Sequence, residues 1–319
     1  MNQPPVEPSQ TEPPLTGAAP TGAAPEKPWK FDALLRLGLS IFICVYSGSV
    51  ILSTVNFAAK HPKHQLWFFL LAGVTLTFLC AAVLLMRPAK KELGLGQLLH
   101  WLAPLGIGFF LGTIVGLWSQ KVAGAANPST LQMVVSVLSF QGSTLLLVGR
   151  FVKEHQLSWD DAFGFSRNTL IAVLFGLVFA CIFLPIGLGL QWLSAELLNH
   201  VAKPQEQQAV QTLRQTVSWT YRLLLGALTV FVVPAAEEML FRGLLYPWIK
   251  KVGFPKLAFW GSSLLFALIH LNLMTFLPLF VLALILTALY EKTNNLLAPI
   301  TAHTLFNAVN LVMLYISEH

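Results

Sequence analysis

Charge is what this sequence has least of. Its 14 acidic and 20 basic residues make up 11% of 319, against the roughly 25% usual in soluble globular domains. A water-soluble fold of this size cannot cover its surface from so small a supply, which excludes an ordinary soluble enzyme. Cysteine is scarce too. Cys44, Cys80 and Cys181 each sit inside an apolar run, too far apart in sequence for a metal knuckle, and read as small buried hydrophobes. A basic face for nucleic acid is also missing. The net charge is +6, but Lys and Arg fall in short loops between apolar runs, as membrane orientation demands.

What the chain has instead is apolar length. Hydrophobic residues make up 55% of the sequence and the mean hydropathy is +0.67. They gather in runs near the roughly 20 residues that a helix needs to cross a bilayer core. Nine runs are expected to be spans: 33–58, 66–86, 98–118, 131–150, 169–193, 223–249, 257–273, 275–290 and 295–317. The cut between the seventh and eighth is the weakest, marked by Asn272 and by Pro278 as helix breaker, and merging them gives eight. The fold class expected is an all-α polytopic membrane protein, a bundle of eight to nine transmembrane helices behind a disordered N-terminal tail. Glycines 106, 108, 112 and 116 in the third run suit close helix approach.

Residues 1–28 form that tail. They hold eight of the 19 prolines and repeat Thr-Gly-Ala-Ala-Pro at 16–20 and 21–25, a composition that cannot offset its ordering entropy. They lack the apolar core of a signal peptide. Residues 29–200 then supply N-terminal transmembrane helices and 220–319 a C-terminal set. Residues 87–96 and 153–166 are weakly similar, each placing charges before a glycine step ahead of a new run. The longest polar connection, 194–222, contains a stretch from Pro204 to Thr216 that reads as a short helix. With the tail inside, thirteen Lys and Arg fall on the inner side and six on the outer. The positive-inside rule therefore puts the N-terminus in the cytoplasm. Trp67, Trp101, Trp118, Trp159 and Trp192 suit the membrane interfaces.

Against this background the sixth run is anomalous. It carries Glu237, Glu238 and Arg242 within six residues, each costing on the order of 2.5–3.5 kcal/mol at a helix centre. They must pair or face a wet cavity. Glu238 and Arg242 are four apart and share a face, whereas Glu237 is turned about 100° away. Pro234, three residues earlier, should bend or restart the helix. The seventh run contributes Phe266 and His270, the ninth His303 and Asn307, each pair at i, i+4 on one face. At about 1.5 Å per residue, Glu237, His270, His303 and Asn307 all fall roughly 14–20 Å from the inner ends, near the middle of a core about 30 Å thick.

Two glutamates, two histidines and an asparagine, with no Ser or Cys nucleophile alongside, suit water activation. A carboxylate with a nearby His takes a proton from water, and a second His with an Asn donates hydrogen bonds to the oxyanion formed on a carbonyl. The alternative is zinc on Glu237, His270 and His303. No His-Glu-x-x-His helix occurs, which weakens that reading, and no cofactor is favoured. Phe266 and Phe306 read as packing residues and Arg242 as a charge partner.

These residues resemble the CAAX prenyl protease and bacteriocin-processing family, also called CPBP or Abi, of intramembrane endopeptidases. Its pattern of Glu-Glu-x-x-x-Arg, Phe-x-x-x-His and His-x-x-x-Asn/Asp appears here as Glu237-Glu238-Met-Leu-Phe-Arg242, Phe266-Ala-Leu-Ile-His270 and His303-Thr-Leu-Phe-Asn307. Phe241–Pro247 is also typical of members. The match covers about 220–317. The resemblance implies a helical bundle whose polar cavity admits a peptide and hydrolyses a bond near its C-terminus. Glu237 would be the general base with His270 beside it, His303 and Asn307 the oxyanion site, and Glu238 with Arg242 the organisers of the first motif helix. It further implies a peptide or protein substrate, prenylated or not, and a bacterial cytoplasmic membrane. It leaves glutamate-type and metalloendopeptidase chemistry as the two versions. Two rival classes use the same residues: a non-catalytic immunity or regulatory partner acting through helix contacts, and a proton- or cation-coupled transporter. The transporter requires polar residues along both access routes, and the first five runs have almost none.

Overall fold

The computed structural model describes residues 29–60, 130–199, 207–216 and 218–317. The tail 1–28, the second and third runs with Cys80 and their glycines, and the 87–96 half of the internal similarity lie outside the described residues. Within them the chain forms α1 (Phe31–Lys60), then α2 (Thr130–Val137) running through a π turn at Leu138–Gly142 into α3 (Ser143–Glu154), α4 (Trp159–Phe163), α5 (Thr169–Asn199) and α6 (Gln208–Gln215). A long helix follows, made of α7 (Trp219–Ala227), a π turn (Leu228–Val232), α8 (Val233–Glu238), a second π turn (Met239–Leu245) and α9 (Tyr246–Lys251). The chain ends in α10 (Pro255–Leu268), α11 (Leu273–Thr293) and α12 (Leu297–Ile316).

Among the described residues, six stretches are long and apolar enough to cross a membrane: Phe31–Val50, Met133–Glu154, Thr169–Asn199, Trp219–Lys251, Leu273–Thr293 and Leu297–Ile316. They correspond to the first, fourth, fifth, sixth, eighth and ninth runs, and the protein is an all-α integral membrane protein. The seventh run differs. Its helix α10 has 14 residues, about 21 Å at 1.5 Å per residue, short of a bilayer core. The chain then turns through Leu271, at φ +48° and 93% exposed. Asn272 caps α11 by accepting the Thr275 N–H. Asn272 therefore makes the cut between the seventh and eighth runs, whereas Pro278 lies inside α11 and breaks nothing. In the 194–222 connection α6 occupies the middle of the stretch expected to be helical.

Large apolar side chains line the outside. Leu170, Ile171, Leu174, Val178, Ile182 and Ile186 of α5 are exposed, a surface suited to lipid rather than water. Cys181 belongs to this outer face, so it is not the buried hydrophobe that its apolar setting implied. The opposite face of α5 is a seam of small residues: Ala172, Gly176, Ala180 and Gly187 are buried with Phe183. A Cβ on Gly176 would stand 2.5 Å from the Ala298 carbonyl oxygen and 2.8 Å from Thr301 Cβ, which shows how closely α5 and α12 approach. Small residues let membrane helices come this near.

The loops at the Lys250 end interlock. Gly164, at φ +74°, ends α4 directly against the Asn294 carbonyl. The Leu296 N–H donates to Phe163 O, 2.9 Å. The buried Asn295 amide donates to Arg167 O at 2.7 Å and accepts from the Leu297 N–H at 2.8 Å. These bonds fix where α12 starts, and with it the height of His303.

The long helix Trp219–Lys251 is irregular for a reason that the sequence carries. Each π turn is followed at one remove by proline, Pro234 and Pro247. A proline has no N–H and its ring clashes with the carbonyl four residues back. Widening the preceding turn relieves both problems: Val233 N–H donates to Leu228 O and Tyr246 N–H to Phe241 O, five residues back instead of four. The six residues between the two wide turns include both glutamates. π turns cluster at functional sites.

The α5 seam makes a testable distinction. Gly176→Val drives a branched side chain into the α12 backbone and should cost about 1–3 kcal/mol, as overpacking does. Gly189→Val, where an added Cβ meets nothing within 4 Å, should leave the thermal unfolding midpoint in detergent unchanged. Equal effects of the two would mean that the α5–α12 approach is not the tight contact described.

Candidate active site

The segment from Pro234 to Leu244 is the most enclosed part of the long helix. Pro234, Ala236, Glu237, Glu238, Met239, Phe241, Arg242, Gly243 and Leu244 are all buried. Charged side chains in such a place survive only when paired and hydrogen-bonded. Glu238, at 0% exposure, accepts at Oε1 from Arg242 Nη1, 2.9 Å, and from His303 Nδ1, also 2.9 Å. Arg242 donates through Nη2 to the Ala283 carbonyl at 2.8 Å and lies 3.4 Å through Nε from the Thr287 hydroxyl. Thr287 in turn meets the Ser263 hydroxyl at 3.2 Å. One carboxylate thus joins α8 to α12, and its arginine ties both to α11 and, through Ser263, to α10.

Phe266 supplies the wall. Fully buried, its ring lies 4.8 Å from the Arg242 guanidinium carbon, a cation–π distance. It also touches Phe241 edge-on at 5.2 Å, His270 at 5.0 Å and His303 at 5.8 Å. The ring therefore contacts both histidines and covers the arginine.

Glu237 is arranged differently from its neighbour. It is buried, its Oε2 has no hydrogen-bond partner, and it stands 3.9 Å from His303 Nε2. The two oxygens of the Glu-Glu pair thus address opposite nitrogens of one imidazole. His303 gives its Nδ1 proton to Glu238, because a carboxylate flanked by arginine can only accept, and turns Nε2 toward Glu237. His270 donates from Nδ1 to the Phe266 carbonyl at 2.7 Å, which likewise leaves Nε2 as its outward nitrogen.

Of the residues singled out in the sequence, Glu237, Glu238, Arg242, Phe266, His270 and His303 come together in this cluster. The pairing within it differs from expectation. His303, not His270, is the histidine within 4 Å of Glu237, while His270 remains in electrostatic range of that carboxylate. Asn307 sits one turn beyond His303 on α12, and its Nδ2 donates to the Thr229 carbonyl at 3.0 Å. Phe306 packs on Phe183, centroids 5.6 Å apart. Thr287, Ser263 and Thr229 had not stood out. Thr287 alone left a trace, a lone hydroxyl within the apolar run 276–289.

The donor set was also compared with what zinc needs. Among the described residues no three His, Cys, Asp or Glu side chains converge in a way that holds a metal ion. With Nδ1 tied to Glu238 in His303 and to Phe266 O in His270, each ring offers Nε2, the nitrogen that a metal would take.

Fold and site together define a polytopic membrane protein with a carboxylate–histidine–arginine cluster inside its C-terminal helices. Residues 218–309 match the model of the Rce1-like family, described as type II CAAX prenyl endopeptidase Rce1-like, and the resemblance carried by the three motifs holds over that segment. Two further proteins are similar to this chain. The UPF0177 protein YxdF of Lactococcus lactis is 28% identical over 172 residues, 51% of this chain and 89% of YxdF. The uncharacterized protein YpbD of Bacillus subtilis is 37% identical over 82 residues, 24% of this chain and 39% of YpbD. The chain therefore spans well under half the length of YpbD. No solved structure matches significantly.

The buried pair is open to measurement. Arg242→Met leaves the Glu238 carboxylate without its cation, and removing one partner of a buried pair costs about 3–5 kcal/mol. Adding Glu238→Gln to Arg242→Met removes the orphaned charge and should recover a large part of that loss. Thermal unfolding of the purified proteins in detergent reads both values. A double variant no more stable than the single one would show that the charges are not coupled.

Proposed function

We propose that this protein is an intramembrane endopeptidase of the CAAX-protease-like kind, hydrolysing a peptide bond with water activated by Glu237. The observation that carries the reading is the 3.9 Å gap between the unpartnered Glu237 Oε2 and His303 Nε2. Two contacts of about 2.8 Å to one shared water subtend such a distance.

The working state proposed has Glu237 and Glu238 ionised and His303 protonated. Glu237, Glu238 and Arg242 sum to one negative charge, and an imidazolium at His303 makes the set neutral, the condition that a low-dielectric interior favours. A water between the two groups then accepts from His303 Nε2–H and directs one O–H at the Glu237 carboxylate. Glu237 takes that proton as the water oxygen attacks the scissile carbonyl. The oxyanion that forms receives His303 Nε2–H and the free N–H of Asn307. Collapse of the tetrahedral intermediate breaks the C–N bond, and Glu237 returns its proton to the leaving nitrogen. Glu238, held by Arg242, orients the His303 ring through Nδ1–H and stabilises the imidazolium, and Phe266 keeps bulk water from the guanidinium. His270, its Nδ1 tied to Phe266 O, adjusts the field at Glu237. No step is routed through zinc.

The substrate proposed is the C-terminal part of a membrane-associated peptide or protein, prenylated or not, reaching the cluster from within a bacterial cytoplasmic membrane. The thirteen-to-six distribution of Lys and Arg supports a cytoplasmic N-terminus.

The test uses purified protein and C-terminal peptides with and without a prenyl group. Glu237→Gln keeps the shape and removes the base. It should lower kcat by more than about 10²-fold, the range spanned by general-base catalysis, and His270→Ala should reduce it less. Chelators should leave the rate unchanged, and elemental analysis should find no stoichiometric zinc. Cleavage that persists in both Glu237→Ala and His270→Ala would falsify the mechanism; a chelator-sensitive rate restored by zinc would replace it with the metalloendopeptidase version.

A further inference from the structure

Asn307 turns its side chain away from the cluster, to a backbone carbonyl of the long helix. Its acceptor, Thr229 O, lies in the first π turn, and the reason that this oxygen is available can be traced through the backbone. In a regular α-helix Thr229 O would accept from Val233 N–H, but that N–H is drawn to Leu228 O. In the π register the next donor would be residue 234, and Pro234 has no N–H. Both helical donors are removed by one proline, and an orphaned carbonyl in an apolar helix costs free energy until something satisfies it. The Asn307 amide does so at 3.0 Å.

This bond orients the amide as well as satisfying the carbonyl. A planar –NH2 with one hydrogen fixed on Thr229 O has its second hydrogen set about 120° away, with no freedom to flip. We infer that Pro234 is a positioning residue: by withholding an N–H it reserves Thr229 O for Asn307, and so fixes the direction in which the remaining Asn307 N–H points. Preorganised donors of this kind stabilise developing charge without reorganising at the moment of reaction. The proline three residues before the glutamates thus acts on the site from across the helix pair, through α12.

The kinetic consequence rests on the endopeptidase reading, whereas the anchoring itself does not, so each has its own readout. Pro234→Ala restores an N–H that competes for Thr229 O. With selective 15N-asparagine labelling, the Asn307 side-chain amide is assigned by its disappearance in Asn307→Ala. In the parent protein it should be a hydrogen-bonded, slowly exchanging pair, and in Pro234→Ala it should shift and exchange at least about tenfold faster. An unchanged Asn307 signal in Pro234→Ala overturns the inference whether or not the protein cleaves anything.

Where cleavage is measured, Pro234→Ala should lower kcat about tenfold with KM within about twofold, inside the 10²–10³-fold ceiling for losing one oxyanion donor. In the Asn307→Ala background the same substitution should have no further effect, because the group that it acts through is gone. Additive losses, or a change in KM alone, would assign Pro234 a merely structural role. An altered Asn307 signal in a protein that hydrolyses none of the peptides would leave the anchoring standing and remove the endopeptidase reading.

Discussion

A single carboxylate oxygen, Glu238 Oε1, organises the C-terminal half of this molecule. It accepts from Arg242 within its own helix and from His303 across the interface with α12. Because all three side chains are buried from solvent, bulk water does not compete for either partner. The guanidinium must then place its remaining donors, and it finds them on α11, at Ala283 O and Thr287. Helix positions that lipid-like packing would leave free to slide are thereby set by polar contacts, the usual source of specificity between helices that lack a hydrophobic driving force. The tight α5–α12 seam at Gly176 holds α12 from its other side.

The adjacent glutamate is held out of this network by helix geometry. Successive residues point about 100° apart, so the residue next to Glu238 cannot also face Arg242. Wide turns on both sides of α8 let the six-residue segment take its own orientation within a helix that otherwise crosses the membrane. The prolines that force those turns are therefore part of how two identical side chains come to have different surroundings: one with an oxygen that accepts from Arg242 and His303, the other with an unpartnered oxygen 3.9 Å from the same imidazole.

Much of this could be read in advance. Three charges in an apolar run had to pair, the i, i+4 rule chose Glu238 with Arg242, and the lengths of the runs placed most helix ends within a few residues. Counting depth along the runs brought His303 to the level of the glutamates. What the sequence did not carry is lateral direction. Depth alone cannot say which histidine lies nearer Glu237; the 3.9 Å approach of His303 Nε2 is set by how α12 is turned against α8. Backbone acceptors such as Ala283 O and Thr229 O leave no mark in composition, since every residue has a carbonyl. The small-residue seam of α5 was legible as Ala172, Gly176 and Ala180 at intervals of four, but it competed with the denser glycines of the third run. Cys181 shows the same limit: an apolar neighbourhood in a membrane chain fixes depth in the bilayer, and says nothing of whether a side chain faces protein or lipid.

The scarcity of charge bears finally on the chemistry proposed. In the proposed working state two carboxylates, a guanidinium and an imidazolium are neutral as a set, which the membrane interior tolerates although it would reject any member alone. In the proposed hydrolysis a proton passes from water to Glu237 while negative charge appears on the substrate oxygen. The carboxylate becomes neutral as the oxyanion forms beside His303. The net charge of the site does not change at any step; only its position moves, by a few ångströms, toward the cations. A low-dielectric interior penalises the creation of charge and strengthens its attraction to a fixed partner. A reaction that merely relocates charge within a prearranged neutral set avoids the penalty and gains from the attraction.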